Sequence, residues 1–374
     1  MNFSINKDLL LNNLLVAQKA LSSKTPNPAL QGIYMEAKNN VLTIITSNSD
    51  ISIKLEIKDP SLNIELEGEG LIPGRYFIDI VRKLNSETIS LSIIEDNILR
   101  ILVDRSDITL NMMDINDYPN LKFELKDKPI VFDAKNLKAI IKQTTFATST
   151  VENRPILTGV NLKVKENKLI AVSTDSFRLS QKQIIIPEDF GNINIIVPGK
   201  SLDELLKVIE NENENVELHL DNNKVLFKLG NVLFQSRLLE GNYPETSRLI
   251  PSEFPIVLQF NKEDLISRIE RAALLSNKEG NNSIVKLLLK PSGVVEISSN
   301  YPEIGKVLEE IYPLENVTGA SLKIAFSSKY FLDALKTFTS EEVSVKFTGE
   351  IRPFIMETAQ DEGLVELILP VRTE

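Results

Sequence analysis

The sequence has 374 residues, with no cysteine and a single histidine, His219. Without cysteine the chain forms no disulfide, has no thiolate nucleophile and cannot bind zinc through sulfur. One histidine is too few for a histidine-rich metal site and leaves little material for a Ser-His-Asp triad. His219 lies in a strand-like segment, where we predict a solvent-facing position and no catalytic role. We therefore predict no cofactor, no metal site and no enzymatic activity.

Long apolar runs are also missing, since no stretch reaches the 18 apolar residues that would suggest a transmembrane helix. The first eight residues lack the basic start and apolar core of a signal peptide. We therefore predict a cytoplasmic protein that makes no contact with membranes.

The chain has fewer basic than acidic residues. It contains 42 Lys and Arg residues and 52 Asp and Glu residues, which gives a net charge of −10. A basic domain is the usual electrostatic sign of a nucleic-acid-binding protein, so this balance alone argues against nucleic acid. A net figure says little about one local face, however.

A segment of about twelve residues recurs three times along the chain. Each copy has one basic residue, Arg75, Lys200 or Lys329, followed by apolar residues in one register and an acid four residues later. The spacings of 125 and 129 residues are too long for a solenoid unit and correspond to whole domains. We predict three tandem domains, at residues 1–127, 128–252 and 253–374.

Each third of the sequence has the same order of predicted elements. A strand and a helix come first, with Asn6, Asp133 and Asn261 as expected helix N-caps. A hairpin with alternating apolar residues follows, then a strand leading into the repeated basic helix, then a second hairpin. Two helices packed on antiparallel sheet in each domain give an α+β fold.

Two local segments could indicate a binding site, but a simpler interpretation is favoured for each. The segment Glu67 to Gly70 is glycine-rich but has no phosphate-binding signature, so a turn is expected. The acidic run Glu210 to Glu214, together with Asp114 and Asp117, could bind a hard cation weakly, but a solvated face is favoured. The chain therefore reads as a binding and scaffolding protein.

Basic residues recur on or beside the six predicted helices, at comparable places in the three domains. Exposed helix positions often carry lysine, so no single helix is informative. If the helices share one concave face, that face is weakly positive and suits sequence-independent contact with phosphates.

Several local motifs, taken together and in order, resemble the bacterial DNA polymerase III sliding clamp, the β subunit. The resemblance covers essentially the whole length, with the same order of three units. The motifs are Arg154–Gly159, Ser173–Ser180, Val197–Lys200, Glu240–Pro244 running to Arg248–Pro251, Arg271–Asn277 and Leu369–Arg372. The resemblance implies a head-to-tail homodimer of three-domain chains. That ring encircles double-stranded DNA of any sequence, and a clamp loader opens it.

The resemblance also implies a pocket for peptide motifs of the replicative polymerase, the clamp loader and other partners. Carried over position by position, it comprises Leu157, Thr174, Ser176, Phe177, Arg178, Leu179, Pro244, Arg248, Leu249, Leu367, Ile368, Leu369, Pro370 and Val371. Family members often have histidine where this chain has Phe177, and Thr373 and Glu374 extend beyond the usual ending.

The same resemblance places Lys24, Arg75 and Lys200 near the duplex. It places Ile108 and Leu110 of one chain against Leu274 and Leu275 of its partner at the dimer interface. Two other readings stay open at this point: a protein-binding scaffold that never encircles DNA, and an enzyme of unrecognised carboxylate chemistry.

Overall fold

The structure, a computed structural model, describes residues 1–22, 25–95, 97–151, 153–188, 190–209, 214–276, 278–279, 282–315 and 317–372. These residues form 26 strands and six α-helices, and every strand pairing among them is antiparallel. The predicted α+β class, with three tandem copies of one arrangement, is confirmed.

The elements of the three repeats follow the same order. The first repeat contains β1 (Asn2–Asn6), α1 (Lys7–Ala17), β2 (Gly32–Lys38), β3 (Val41–Ser47), β4 (Ile51–Ile57), β5 (Asn63–Leu66), β6 (Gly68–Pro73), α2 (Gly74–Lys83), β7 (Thr88–Ile94), β8 (Ile98–Val103) and β9 (Ser106–Asn111). The second contains β10 (Ile130–Asp133), α3 (Ala134–Thr144), β11 (Gly159–Lys165), β12 (Lys168–Thr174), β13 (Arg178–Ile185), β14 (Ile193–Pro198), α4 (Gly199–Leu206), β15 (Asn215–Asp221), β16 (Lys224–Leu229) and β17 (Val232–Arg237). The third contains β18 (Ile256–Asn261), α5 (Lys262–Leu274), β19 (Lys278–Glu279), β20 (Asn282–Leu289), β21 (Val295–Tyr301), β22 (Gly305–Ile311), β23 (Leu322–Ser327), α6 (Ser328–Leu335), β24 (Glu342–Phe347), β25 (Phe354–Glu357) and β26 (Leu364–Ile368).

The helices begin where the sequence predicts. The side-chain oxygen of Asn6 accepts from the backbone N–H of Leu9 at 2.9 Å, and that of Asn261 accepts from Asp264 N–H at 3.0 Å. Each bond satisfies one of the free donors of a first helical turn.

A buried hydroxyl ties the first helix of each repeat to the sheet. Thr46 Oγ1, Ser173 Oγ and Ser299 Oγ donate to the carbonyl oxygens of Ala17, Thr144 and Ala272, over 2.7, 2.5 and 2.6 Å. Because these carbonyls lie at helix C-termini, each bond satisfies an acceptor that lacks an intrahelical partner. The three hydroxyl residues mark equivalent positions of the three repeats.

The chain divides into two compact units whose borders fall inside the second repeat. Unit 1 contains residues 1–138 and 200–238, and unit 2 contains residues 139–199 and 239–374. In unit 1 an eight-stranded sheet runs in the order β10-β15-β16-β17-β4-β3-β2-β6. In unit 2 the order is β14-β11-β12-β13-β26-β25-β24-β18. Each of these sheets therefore joins strands of two successive repeats.

The solvent-facing position expected for His219 is wrong, because only 3% of this residue is exposed. The chain segment before β10 passes over it, and the backbone N–H of Lys126 donates to His219 Nδ1 at 2.9 Å. On the other side of the ring, Nε2 lies 3.1 Å from Glu217 Oε2. His219 is a buried polar residue with both ring nitrogens engaged.

Among the described residues, no helix combines the length and the apolar content needed to cross a membrane.

Candidate functional site

An apolar cluster in unit 2 contains three buried leucines of the predicted peptide pocket. These residues, Leu157, Leu179 and Leu367, are 4%, 2% and 4% exposed. The remaining buried residues of the cluster are Val172, Ile196, Tyr243 and Ile355. This cluster forms the floor of the candidate site.

Strand pairing sets the positions of the floor residues. Strands β13 and β26 pair so that Leu179 lies opposite Leu367, and both side chains point to the same face of the sheet. Leu157 comes from a short 3-10 helix, Pro155–Thr158, which Pro155 begins. Residues separated by up to 210 positions in the sequence thus meet in one cluster.

The turn between β12 and β13 is closed by its own side chains. Asp175 Oδ1 accepts from the backbone N–H groups of Phe177 and Arg178 at 2.9 and 3.0 Å. Thr174 Oγ1 donates to Arg178 O at 2.6 Å and accepts from Ser176 N–H at 3.1 Å. Ser176 has a φ of 80°, in the left-handed region. These bonds hold the turn so that Phe177 projects outward.

Arg178 lies beneath this turn, with 9% of the residue exposed. Its guanidinium contacts Asp175 Oδ2 at 3.0 Å and Asp333 Oδ2 at 2.8 Å, and Nη2 donates to Phe146 O at 2.6 Å. The ring centroid of Tyr330 lies 4.5 Å from Cζ. Each of the three guanidinium nitrogens of Arg178 therefore donates to a partner within the protein, and the residue supports the turn from below.

The rim of the site is apolar and exposed. Phe177, Leu249 and Leu369 are 60%, 52% and 36% exposed. The backbone N–H of Leu369 donates to Phe177 O at 2.9 Å, which brings these two rim residues together. The remaining predicted residues Ser176, Pro244 and Arg248 are exposed, Pro370 and Val371 are half-buried, and Ile368 is buried. Thr373 and Glu374 lie outside the described residues.

Unit 1 contains the equivalent junction, and its floor is polar. There β4 pairs with β17, and Ser52 lies opposite Gln235 where unit 2 has Leu179 opposite Leu367. Both are 7% exposed, and Ser52 Oγ lies 2.9 Å from Ser47 Oγ. An apolar anchor placed on this floor would cover polar groups without giving them partners. The repeat thus supplies an internal comparison in which only the junction of unit 2 suits apolar side chains.

Two residues of the site were missed from the sequence. The Tyr243 hydroxyl accepts from Thr174 N–H at 3.0 Å, and burial raises the pKa of this phenol. The repeated Tyr-Pro pairs at 118 and 243 carried a signal for it. Glu366 is fully buried beside the floor, where Ser180 and Thr337 hydroxyls donate to its Oε1 at 3.0 and 3.1 Å. Burial raises the pKa of Glu366 well above its usual range, although these hydroxyls and the charge of Arg178 act in the opposite direction.

The recurring basic residue of the three repeats occupies the first turn of a helix each time. Arg75, Lys200 and Lys329 are the second residues of α2, α4 and α6, and all three are exposed. Within the described residues none of them forms a salt bridge. In contrast, Arg82 on α2 pairs with Asp79, and Lys207, the residue after α4, pairs with Glu204. A cation at a helix N-terminus opposes the helix dipole, so helix stability does not explain these residues. Lys24 lies outside the described residues.

The residues predicted for the dimer interface lie on strand β9 and at the end of helix α5, and each of these places is close to a strand at a sheet border or on it. Strand β9 borders the five-stranded sheet β5-β1-β7-β8-β9 of unit 1, with Ile108 and Leu110 half-buried. In unit 2, β22 pairs only with β21 among the described strands. Leu274, at the end of α5, is 80% exposed, Leu275 is half-buried, and Leu308 on β22 is 57% exposed.

Comparison with known families finds three successive matches along the chain. Residues 1–122 match the N-terminal domain of the DNA polymerase III beta subunit, residues 132–245 its central domain and residues 247–372 its C-terminal domain.

Curated relatives and solved structures match over their full length. The beta sliding clamps of Staphylococcus epidermidis and Staphylococcus aureus are each 41% identical over 378 residues, which covers 100% of this chain and of each relative. The crystal structure of the DNA polymerase sliding clamp from Bacillus subtilis is 41% identical with a TM-score of 0.96. That of the DNA polymerase III beta chain from Streptococcus pneumoniae is 40% identical with a TM-score of 0.95. Both cover 100% of each chain.

Proposed function

The chain belongs to the DNA polymerase III beta subunit family, the bacterial sliding clamps, and we propose that two copies of it close head to tail around duplex DNA. Its function is that of a sliding clamp in DNA replication. The ring tethers the replicative polymerase to its template, and we infer that the chain has no catalytic activity of its own. The observation that carries the proposed ring is a pair of complementary strand edges.

The repeats join in the same way at both junctions within the chain. We take the domains as residues 1–127, 128–252 and 253–374. Strand β4 of the first domain pairs with β17 of the second, and the equivalent β13 of the second pairs with β26 of the third. The next members of this series are β22 of the third domain and β9 of the first, which have no such partner among the described strands. A second copy supplies the missing partner to each, and a head-to-tail contact of this kind can close a ring.

The internal junctions also give the expected register between the two copies. Ser299, one of the three hydroxyl residues that mark equivalent positions, lies opposite Val307, as Thr46 lies opposite Ile53. Val307 of the third repeat is therefore the equivalent of Ile53 of the first. At the first junction Ile53 pairs with Phe234, and Phe234 has the same position in β17 as Ile108 has in β9. Val307 of one copy is therefore expected opposite Ile108 of the other.

A cysteine cross-link tests this register, and the cysteine-free chain makes the test clean. Opposite residues of antiparallel strands have Cβ atoms about 5 Å apart, close to what a disulfide spans. The double variant I108C/V307C should oxidise to a covalent dimer of twice 42.0 kDa. The control T109C/V307C should not, because neighbouring residues of a strand point to opposite faces. A monomer after oxidation of I108C/V307C would refute the proposed ring interface.

The DNA contact is proposed for the three basic first-turn positions and Lys24. A helix N-terminus and a cation together favour a phosphate, and three equivalent positions can follow the backbone of a duplex without reading its sequence. The net charge of −10 is compatible with this role, since enclosure retains DNA without strong attraction.

Retention on circular DNA tests enclosure. The protein, loaded by a clamp loader onto nicked circular DNA, should stay bound in moderate salt and leave when the circle is cut. Ordinary phosphate binding would weaken steeply with salt whether or not the DNA has ends. Salt-sensitive binding that ignores linearisation would refute enclosure, and no retention at all would favour a scaffold without DNA.

The pocket in unit 2 is proposed to bind short segments of the polymerase, the clamp loader and other partners. Leu157, Leu179 and Leu367 would accept apolar anchors, and Phe177, Leu249 and Leu369 would cover them. We assign Arg178 a positioning role, because Asp175 and Asp333 already hold its guanidinium. Since the partners act on chromosomal DNA, we place the protein in the cytoplasm and away from membranes.

A further inference from the structure

A groove continues from the peptide pocket along the segment that joins the second and third domains. It has a volume of about 790 Å³, and two pocket residues, Arg248 and Leu249, line it. Arg352, in the loop between β24 and β25, lines it as well. A peptide whose apolar anchors occupy the pocket would therefore have its flanking residues beside this groove.

The groove has an apolar base with few backbone donors. Phe254 lines it and packs against the same cluster that forms the pocket floor. Three prolines, at positions 251, 255 and 353, also line it. Proline has no backbone N–H, so these positions cannot bind a partner by adding a strand. Recognition in the groove has to come from side chains.

The charged side chains of the groove are mostly basic. Arg248 and Arg352 are exposed, and neither forms a salt bridge with any described residue. Hydrogen bonds from Ser247 lower the pKa of the Glu245 carboxyl, and the charges of Lys163 and Arg248 act in the same direction. Glu253 is the single acid of the lining, so the groove has two cations and one anion in a chain of net charge −10. The nearby Lys346 pairs with Glu357.

We propose that this groove recognises acidic residues that flank the apolar anchors of partner peptides, with Arg352 as a specificity-determining residue. The proposal rests on the proposed function of the pocket. Guanidinium groups bind carboxylates with two parallel hydrogen bonds, and exposed partners contribute to affinity only modestly. Partners that share the same anchors would then be ranked by the charge of their flanks.

The test uses synthetic peptides with one Leu-Phe anchor sequence and three kinds of flank. One peptide has neutral flanks, one has two aspartates before the anchors, and one has two aspartates after them. Titration calorimetry with the full-length protein should give a dissociation constant about threefold to tenfold lower for one acidic peptide than for the neutral one. The gain should shrink at high salt, because exposed charges are screened.

Two variants assign the gain to the groove. R352Q should bind the acidic and neutral peptides equally and leave the affinity of the neutral peptide unchanged. The control R105Q changes an exposed arginine in the turn between β8 and β9 of unit 1, and should keep the full gain. Equal binding of all three peptides by the unaltered protein would overturn the proposal while leaving the pocket in place. A gain that persists in R352Q would overturn the role of Arg352, and failure of every peptide to bind would overturn the pocket and the groove together.

Discussion

Leu249 offers a direct measure of how much the exposed rim of the pocket contributes to peptide binding. The side chain is 52% exposed in the free protein. Full burial of a leucine contributes about 1.5 to 3 kcal/mol, so covering the exposed half should contribute about 0.8 to 1.6 kcal/mol. The variant L249A should therefore raise the dissociation constant of a polymerase-derived peptide about fourfold to fifteenfold.

The assay is peptide titration by calorimetry, together with a urea unfolding curve for each variant. Leu125 is a matched control, because it is 48% exposed and lies in unit 1, remote in sequence from the pocket segments. L125A should lose a similar amount of stability and none of the peptide affinity. Comparison of L249A with L125A therefore distinguishes the loss of contacts between the pocket rim and the peptide from a general loss of stability.

Two outcomes would refute the reasoning. If L249A binds the peptide as tightly as the unaltered protein, Leu249 is not covered and the rim has been misplaced. If L125A weakens binding equally, the effect arises from stability alone. The same reasoning predicts a smaller loss for L369A, since Leu369 is only 36% exposed.

Two further changes test the interior of unit 2. R178Q leaves the carboxylates of Asp175 and Asp333 without their cation, which should lower the free energy of unfolding by about 3 kcal/mol. Exposed ion pairs contribute about 0 to 1 kcal/mol. A loss below about 1 kcal/mol in a urea titration would therefore contradict the structural role of Arg178. The unfolded chain releases the Glu366 proton near pH 4.5, whereas the folded chain keeps this proton to higher pH. The free energy of unfolding should therefore fall as the pH rises above 4.5, by at most about 1.4 kcal/mol per pH unit. E366Q should remove this fall, and pH profiles of unfolding that coincide for the two proteins would exclude a buried titrating carboxyl.

Local features of the fold could be predicted because their cause lies within a few residues. Asn39 and Asn40 have φ values of 50° and 58° in the turn between β2 and β3, and asparagine tolerates this region better than most residues. The caps of α1 and α5 depend on one side chain and a neighbouring N–H. In each case the sequence window contains both partners.

Features that depend on distant partners could not be predicted in this way. His219 has a strand pattern that indicates two faces, but the segment that covers one of them comes from about 90 residues earlier. Arg178 was assigned to the pocket by resemblance, whereas Asp333, which holds it, is 155 residues away. The polar floor of unit 1 depends on Ser52 meeting Gln235, a pairing that no local pattern reveals.

The joining of repeats through shared sheets has a consequence for synthesis of the chain. Strand β4 is complete at Ile57, but its neighbour β17 begins only at Val232, 175 residues later. At about 5 to 20 residues per second, the ribosome needs roughly 10 to 35 s to supply that neighbour. During this interval the nascent first repeat presents backbone donors and acceptors that can capture the wrong strand, including one from an adjacent nascent chain. The protein is therefore expected to depend on chaperones most strongly during the middle third of its translation.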